Sequence, residues 1–254
     1  MRIITALLSV VLASGVAGAQ SAREHIALGD NAYESMDAPA ALGHFEKALE
    51  ADPRNYEAFW KASRSAADFG SGPVEASRGR ALFTSAERYA RRAVGLEPGD
   101  AEGYFSLSRA LGKTALTQSA RGRVRFATEI RSSALECLRI KPGHAGCLHV
   151  MGMWNAEVMR LNSVTRMIAR NVLGGRVFGT ASWKEAIRYM RASVAAEPAR
   201  IVHRVDLGEV YSDTGDKAAA RAEFETALRL AVTDVNDPGY KAQARVWLAS
   251  NPTR

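Results

Sequence analysis

Small and apolar residues recur in this sequence at an interval of about 34 residues, a period typical of helix–turn–helix repeats. Residues 22–55 carry the pattern most clearly, at Leu28, Gly29, Ala41, Phe45, Ala48 and Pro53. Two helices pack closely only where their contact residues are small, and a bulkier side chain there costs roughly 1–3 kcal/mol. Leu28 and Phe45 are expected to fill the remaining volume, and Pro53 ends the second helix because proline has no amide donor. The chain is therefore predicted to be all-α.

Four further copies of the pattern follow, and together they predict a stacked array. The second, third and fourth copies open at Tyr56, Ala101 and Ala145. The fifth copy has its pattern residues at Leu207, Gly208, Tyr211, Gly215, Ala220, Phe224 and Ala227. A single helix pair cannot bury its own apolar face, but stacked pairs can. We therefore predict a right-handed superhelical array of about five tetratricopeptide-repeat (TPR)-like helix pairs.

Three of the copies are longer than the repeat, which predicts lengthened connections between paired helices. Residues 68–80 include the turn-forming run Gly70–Pro73 and are predicted to form a long loop. In the third copy, the second helix is predicted to begin early, near Ser119. In the fourth, Ser163 is the predicted N-cap of an additional short helix that ends at Gly174-Gly175.

A final helix is predicted after the fifth copy. Asp237 is its expected cap, and Pro238 occupies the first turn, where proline is well tolerated. The helix is expected to run to about Ser250 and to cover the apolar face of the last pair, as terminal caps do in solenoids.

Residues 1–19 predict a secretory signal peptide. Met1-Arg2 precedes a mainly apolar run, Ile3–Leu12, and Ala17-Gly18-Ala19 has the small-x-small pattern of a cleavage site. The run is shorter than the about 20 apolar residues that a transmembrane helix needs, although an uncleaved anchor is the alternative. We expect residues 20–254 to form the repeat domain of an exported protein, periplasmic or secreted.

The formal net charge of +7 is spread along the chain and does not predict nucleic-acid binding.

Several stretches of the sequence resemble the regulator of microtubule dynamics family. They are Gly122-Arg123-Val124-Arg125, Ile130-Arg131, Leu138–Pro142, Leu148–Gly152, Ala181–Ala186 and Ile201–Arg204. The resemblance covers most of the predicted mature chain and implies a helical-repeat array with lengthened inter-helix loops. Animal members of that family are intracellular and associate with microtubules or mitochondria, whereas this chain carries an export signal. The fold is therefore what the resemblance implies here, and the partner remains unassigned.

The first helix of each pair is expected to line the inner curve of the array. The side chains predicted to point into it are Tyr33, Trp60, Arg64, Phe105, Arg109, His149, Met153, Glu157, Glu209 and Asp213. Aromatic and arginine side chains dominate binding hot spots, so this concave face is predicted to bind a protein or peptide. In the alternative, several of these residues pack against the additional helix and leave no free groove. A second hypothesis is a carrier that holds an apolar ligand or lipid between the array and that helix.

The two cysteines, Cys137 and Cys147, lie on helices that are expected to touch. In an oxidising compartment they can form a disulfide, and the alternative is two small buried thiols. His144, Cys147 and His149 match no zinc-binding spacing, so neither a metal nor another cofactor is predicted. The common motifs of nucleotide hydrolysis and proteolysis are also missing from the sequence, so we predict a non-catalytic protein.

The apolar stripe of the additional helix, within Val164–Val172, has two interpretations. The arginines that flank it would let it lie on an anionic membrane surface as a peripheral contact; they are Arg160, Arg166, Arg170 and Arg176. The interpretation we favour is a core-facing helix with solvated arginines, because so short a helix gives little area for stable anchoring.

Overall fold

The computed structural model of the chain describes residues 21–115, 117–171 and 176–252. The predicted signal peptide, Val172 and Gly174-Gly175 lie outside these ranges. The described part contains α1 (21–34), α2 (Ala38–Ala51), α3 (Tyr56–Ser71), α4 (Ala76–Leu96), α5 (Ala101–Ala115), α6 (Ala120–Ile140), α7 (Ala145–Arg160), α8 (Ser163–Asn171), a 3-10 helix (Arg176–Thr180), α9 (Trp183–Ala196), α10 (Ile201–Asp213), α11 (Lys217–Arg229) and α12 (Asp237–Ser250).

The helices form the predicted array of stacked pairs. Within the pairs α3 packs on α4, α5 on α6, α7 on α9 and α10 on α11. The first helices also contact one another from pair to pair, α3 with α5, α5 with α7 and α7 with α10, so they share one face of the array. The small residues of the second helices are fully buried, among them Ala41, Ala48, Ala86, Ala90, Ala93, Ala134, Ala186, Ala220 and Ala227. The repeat pattern therefore predicted the packing correctly.

Glycines of the first helices lie directly against bulky residues of the second helices. A Cβ atom added at Gly29 would lie 2.5 Å from Phe45 Cε1, and one at Gly208 would lie 2.9 Å from Phe224 Cε1. Both distances are shorter than any ordinary carbon contact, so the aromatic ring occupies the space that a side chain would need. The expectation that this repeat position needs a small residue is thus confirmed.

Leu28 differs from its expected role as a core residue, because 47% of it is exposed. Its repeat equivalent Leu207 is buried against Ala186 and Met190 of the preceding pair. No preceding pair covers α1 among the described residues, so Leu28 stays on the surface.

The first insertion lengthens the helices instead of forming the long loop predicted over residues 68–80. Helix α3 continues to Ser71 and α4 begins at Ala76. A Cβ atom at Gly70 would lie 2.8 Å from Phe83 Cε1, and one at Gly79 would lie 3.2 Å from the Gly70 carbonyl oxygen. These glycines therefore permit a close helix contact, which explains why their turn-like composition misled the sequence interpretation.

The other two insertions agree with prediction except for one cap. Helix α6 begins at Ala120, and the Ser119 hydroxyl accepts a hydrogen bond at its N-terminus, as expected. Helix α8 begins at Ser163, but its capping side chain belongs to Asn162, whose Oδ1 accepts from the Thr165 amide at 2.8 Å. Serine and asparagine are both good N-caps, so the choice depends on local geometry.

Helix α12 has the predicted bounds and packs on the last pair, with Ala244 fully buried. Asp237 does not cap it. Its carboxylate instead accepts from the backbone amides of Thr233 and Asp234, both at 2.9 Å, and so holds the preceding turn.

Cys137 and Cys147 form a disulfide between the end of α6 and the first turn of α7.

Among the described residues, no helix combines the length and apolarity that crossing a bilayer would require.

Candidate functional site: the inner-face cavity

The inner face of the array forms a partly open cavity of about 1180 Å³. Its walls come from the first helices of the pairs, from α6, from α8 with the following 3-10 helix, and from the segment that leads into α12. Seven of the residues predicted for the concave face line it, namely Tyr33, Arg64, Phe105, Arg109, His149, Met153 and Glu157. This volume exceeds the roughly 300–1,000 Å³ of ordinary small-molecule pockets, so it has room for a ligand larger than a metabolite.

The other three predicted residues lie outside the lining of this cavity. Trp60 lines a smaller adjoining space of about 50 Å³, next to Arg64. Glu209 and Asp213 instead form ion pairs with Arg160, at 3.5 and 2.7 Å from its Nη2. Both carboxylates share this one guanidinium with Glu157, so their side chains are engaged within the protein and contribute less to ligand binding than their repeat position suggested.

Asp68 is the centre of the polar end of the cavity. Its carboxylate is buried and accepts hydrogen bonds from the Tyr33 hydroxyl at 2.9 Å, from the Arg109 guanidinium and from the Asn236 amide at 2.8 Å. Burial, reinforced by the charge of Asp68, raises the pKa of Tyr33 to about 12. The phenol is therefore a neutral donor at physiological pH.

The segment before α12 makes a second ion pair at this end. Asp234 accepts a hydrogen bond from Arg200 at 2.6 Å. Burial of Asp234 favours its neutral form, but the Arg200 guanidinium and the Asn236 amide outweigh it and hold the pKa below its ordinary value. The segment is thus tied both to α10 and, through Asn236, to α3.

Two cations at this end have no ion-pair partner among the described residues. The Arg64 guanidinium carbon lies 3.7 Å from the centre of the Tyr33 ring, and its Nε atom is buried without a hydrogen-bond acceptor. Lys113 is the second cation, and burial together with the nearby Arg109 charge lowers its pKa. The other ionic groups described above are paired, so Arg64 and Lys113 are the cations here that lack a direct ion pair, although carboxylates such as Asp68 and Asp234 lie nearby.

A histidine–aspartate cluster occupies the wall between α7 and α10. His149 Nε2 lies 2.6 Å from Asp206 Oδ2, and the His149 ring stacks on His203 with 4.9 Å between the ring centres. Burial, followed by the charges of His149 and Arg200, lowers the pKa of His203 to about 2. His203 is therefore a neutral ring, and its buried Nδ1 atom has no hydrogen-bond partner in the part of the chain that the structure describes.

The end of the cavity near α8 is apolar. Its lining includes Val124, Ala127, Ile130, Val150, Trp154, Val158, Ile168, Ala169 and Phe178. The Trp154 and Phe178 rings pack edge to face with centres 5.9 Å apart, and Ala169 is buried against them. The cavity is therefore amphipathic, with a charged end near α3 and α5 and an apolar end beneath α8.

The favoured interpretation of α8 as a core-facing helix is wrong for most of its stripe. Val164, Met167 and Ile168 are 60%, 55% and 43% exposed. Ala169 faces the core in their place, because a helix this short can place only one narrow side against α7.

Sequence reasoning missed several cavity residues. Lys113 follows Arg109 by four positions on α5, and this spacing on one helical face could have identified it. His203 and Asp206 fall one position away from the inward-facing places assumed for the repeat. Asn236 carried no signal at all, since only the tertiary structure brings it to α3.

Stacked helix pairs with a ligand-sized cavity on the inner face define a TPR-like helical-repeat protein. More specifically, the chain belongs to the family described as regulator of microtubule dynamics protein 1-3, whose model matches residues 25–251. No curated protein sequence matches the chain significantly.

Solved structures share this fold at low sequence identity. The thermophilic TPR protein TTC0263 of Thermus thermophilus is 22% identical with a TM-score of 0.62, and the match covers 89% of this chain and 99% of that one. The pilF protein of Pseudomonas aeruginosa is 12% identical with a TM-score of 0.55, covering 92% of this chain and 93% of that one. At such identities the similarity establishes the architecture alone.

Proposed function

We propose that this protein is a non-catalytic, exported binding scaffold whose inner-face cavity holds an acidic segment of a protein or peptide. The single observation that carries the proposal is that two cations in the wall of one large cavity, Arg64 and Lys113, make no direct ion pair within the described residues. Phe105 lines the same wall and offers an aromatic surface beside them.

A buried cation without a counter-ion is unfavourable, and a ligand carboxylate removes this cost. The guanidinium of Arg64 can donate two parallel hydrogen bonds to a carboxylate, a geometry that is stronger than neutral hydrogen bonding. Its stacking on Tyr33 already fixes the plane of the guanidinium, so little side-chain entropy is lost on binding.

The test is a binding screen of the chain from residue 20 against short peptides that differ only in carrying glutamate or glutamine. Acidic peptides are expected to bind, and Arg64→Gln and Lys113→Gln are each expected to weaken them at least about tenfold, because losing one partner of a buried charge pair is costly. Arg54→Gln and Lys47→Gln are matched controls, since both residues are exposed and neither lines the cavity. Equal binding of the glutamine peptides would rule the proposal out.

A second candidate function is a carrier of an apolar ligand, and the apolar end of the cavity beneath α8 favours it. Native mass spectrometry and solvent extraction of the purified protein test this candidate. A stoichiometric lipid is expected, and it should be lost in Ala127→Trp, which fills the apolar end. The matched variant Ala222→Trp, in the exposed part of α11, should retain it. Recovery of protein without any extractable ligand, unable to take up a fluorescent fatty acid, would reject the carrier.

Export is part of the same proposal. Cleavage after Ala19 and recovery from the periplasm or culture medium are the expected results of N-terminal sequencing and cell fractionation. An intact chain in the cytosolic fraction would contradict it.

A further inference from the structure

Three side chains able to bind a transition metal converge where α6 meets α7. Cys137 lies in the last turn of α6, His144 is the N-cap of α7, and Cys147 lies in its first turn. Their two sulfur atoms and one imidazole nitrogen all lie within 4.8 Å of one another, and all three residues are buried. In the sequence, His144 and Cys147 were considered together with His149 as the third ligand. Cys137 was left out because it belongs to the preceding repeat.

The orientation of the imidazole suits a ligand. His144 Nδ1 faces Cys147, accepting a hydrogen bond from its backbone amide at 3.2 Å, while Nε2 lies 3.1 Å from a Glu102 carboxylate oxygen. Metal-binding histidines commonly use one ring nitrogen for the metal and donate from the other to a carboxylate, which fixes the ring and makes it a better ligand. Glu102 occupies that supporting position.

We propose that the reduced form of this cluster is a Zn²⁺ site formed by Cys137 Sγ, Cys147 Sγ and His144 Nδ1. In the oxidised protein the two sulfurs are joined, and no metal can bind them. A thiol reductant cleaves the S–S bond by exchange, supplying two electrons and two protons and becoming a disulfide itself. Zn²⁺ then displaces one proton from each thiol and takes the lone pair of His144 Nδ1, which gives up its hydrogen bond from the Cys147 amide. The sulfurs move apart to bond the metal at about 2.3 Å.

This ligand set leaves one coordination position open. His144, Gly146 and Glu102 all line the inner-face cavity, so the open position is adjacent to that cavity and can take water or a ligand atom. Two cysteines, one histidine and a water form a known zinc coordination set. The disulfide and the metal exclude each other, so the cluster has two alternative states set by the redox conditions. This inference is independent of the proposed peptide or lipid binding.

The experiment uses the full purified chain, reduced with a phosphine or thiol and freed of reductant under anaerobic conditions. Alkylation and mass spectrometry count the free thiols, circular dichroism checks the fold, and Zn²⁺ uptake is measured by elemental analysis. Co²⁺ substitution then reports sulfur ligation through its thiolate charge-transfer absorption. One metal per reduced chain and none per oxidised chain are expected.

Variants separate this site from other metal binding. Cys147→Ser and His144→Asn should each lower Zn²⁺ affinity at least about tenfold, and His144→Asn keeps a good N-cap so that the fold is preserved. Glu102→Gln should lower it by about 10- to 100-fold, the usual effect of losing a supporting carboxylate. The control is His44→Asn, which removes one member of a separate histidine pair, where the His44 and His25 Nδ1 atoms are 3.5 Å apart.

Three results would overturn the proposal. One is a reduced, folded chain that takes up no Zn²⁺. Another is uptake that His44→Asn abolishes while the cluster variants leave it unchanged. The third is a disulfide that can be reduced only when the helical signal is lost, because the site would then never exist in the folded protein.

Discussion

The side-chain amide of Asn236 donates a hydrogen bond to the buried carboxylate of Asp68 at 2.8 Å, although the two residues are 168 positions apart. This contact joins the segment before the last helix to the second helix pair. The segment therefore crosses the inner face and forms part of the wall of the cavity. Asp68 also pairs with Arg109, so the position of this segment depends on one carboxylate that serves several partners.

We expect Asp68→Asn to destabilise the protein far more than Asn236→Ala. The first change leaves Arg109 without its counter-ion in a buried position, which costs about 3–5 kcal/mol, whereas the second removes one hydrogen bond worth about 1 kcal/mol. Urea denaturation measures both. Hydrogen exchange in residues 231–237 should increase in both variants, because each releases the segment from α3. Glu34→Gln, at an exposed position of α1, should change stability by less than about 0.5 kcal/mol. Unchanged exchange in that segment would mean that Asp68 does not hold it.

Gly29→Ala should lower the free energy of unfolding by about 1–3 kcal/mol, because the new methyl group would lie 2.5 Å from the Phe45 ring. Gly43→Ala is the matched control in the partner helix, where a Cβ atom would meet nothing within 4 Å. Since alanine is a better helix former, that variant should gain up to about 1 kcal/mol. Thermal or urea unfolding tests the pair, and a loss of stability in both variants would contradict the packing argument.

Acid should destabilise the protein through His203. Its pKa is lowered from 6.5 to about 2 in the fold, so below pH 6.5 the unfolded chain binds a proton that the folded chain does not. The stabilisation from a neutral His203 is thus fully present above pH 6.5 and is lost as the pH falls, by about 1.4 kcal/mol per pH unit. Urea unfolding at about pH 7.5 and about pH 5.5 measures the slope. Between these two pH values the His203→Gln variant should lose about 1.4 kcal/mol less stability than the unaltered chain, and an equal loss in both would exclude His203 as its source.

The exposed stripe on α8 predicts peripheral binding to anionic membranes. Val164→Ser with Met167→Gln should abolish co-flotation with vesicles containing phosphatidylserine while leaving the helical content unchanged, since both residues are more than half exposed. Binding by the unaltered chain should weaken at high salt, because the flanking arginines act through screened charges. Val246→Ser, at another exposed apolar position, should have no effect. Absence of vesicle binding by the unaltered chain would refute the prediction.

The sequence by itself determined the helix pairs. Close contacts such as Gly29 against Phe45 and Gly208 against Phe224 recur at a fixed interval, because the two helices of every pair must pack closely against each other and against the neighbouring pairs. The start of α6 and the bounds of α12 were also predictable, because the Ser119 cap and the first-turn proline Pro238 are local signals.

Only the tertiary structure decided the site. The closure of the cavity by Asn236, the pairing of Cys137 with Cys147 and the exposure of Val164 depend on which surfaces meet after the pairs have stacked. Local spacing does not encode the curvature that brings residue 236 to residue 68, because small rotations at every interface add up along the array. The architecture is thus a property of neighbouring residues, whereas the cavity is a property of the whole superhelix.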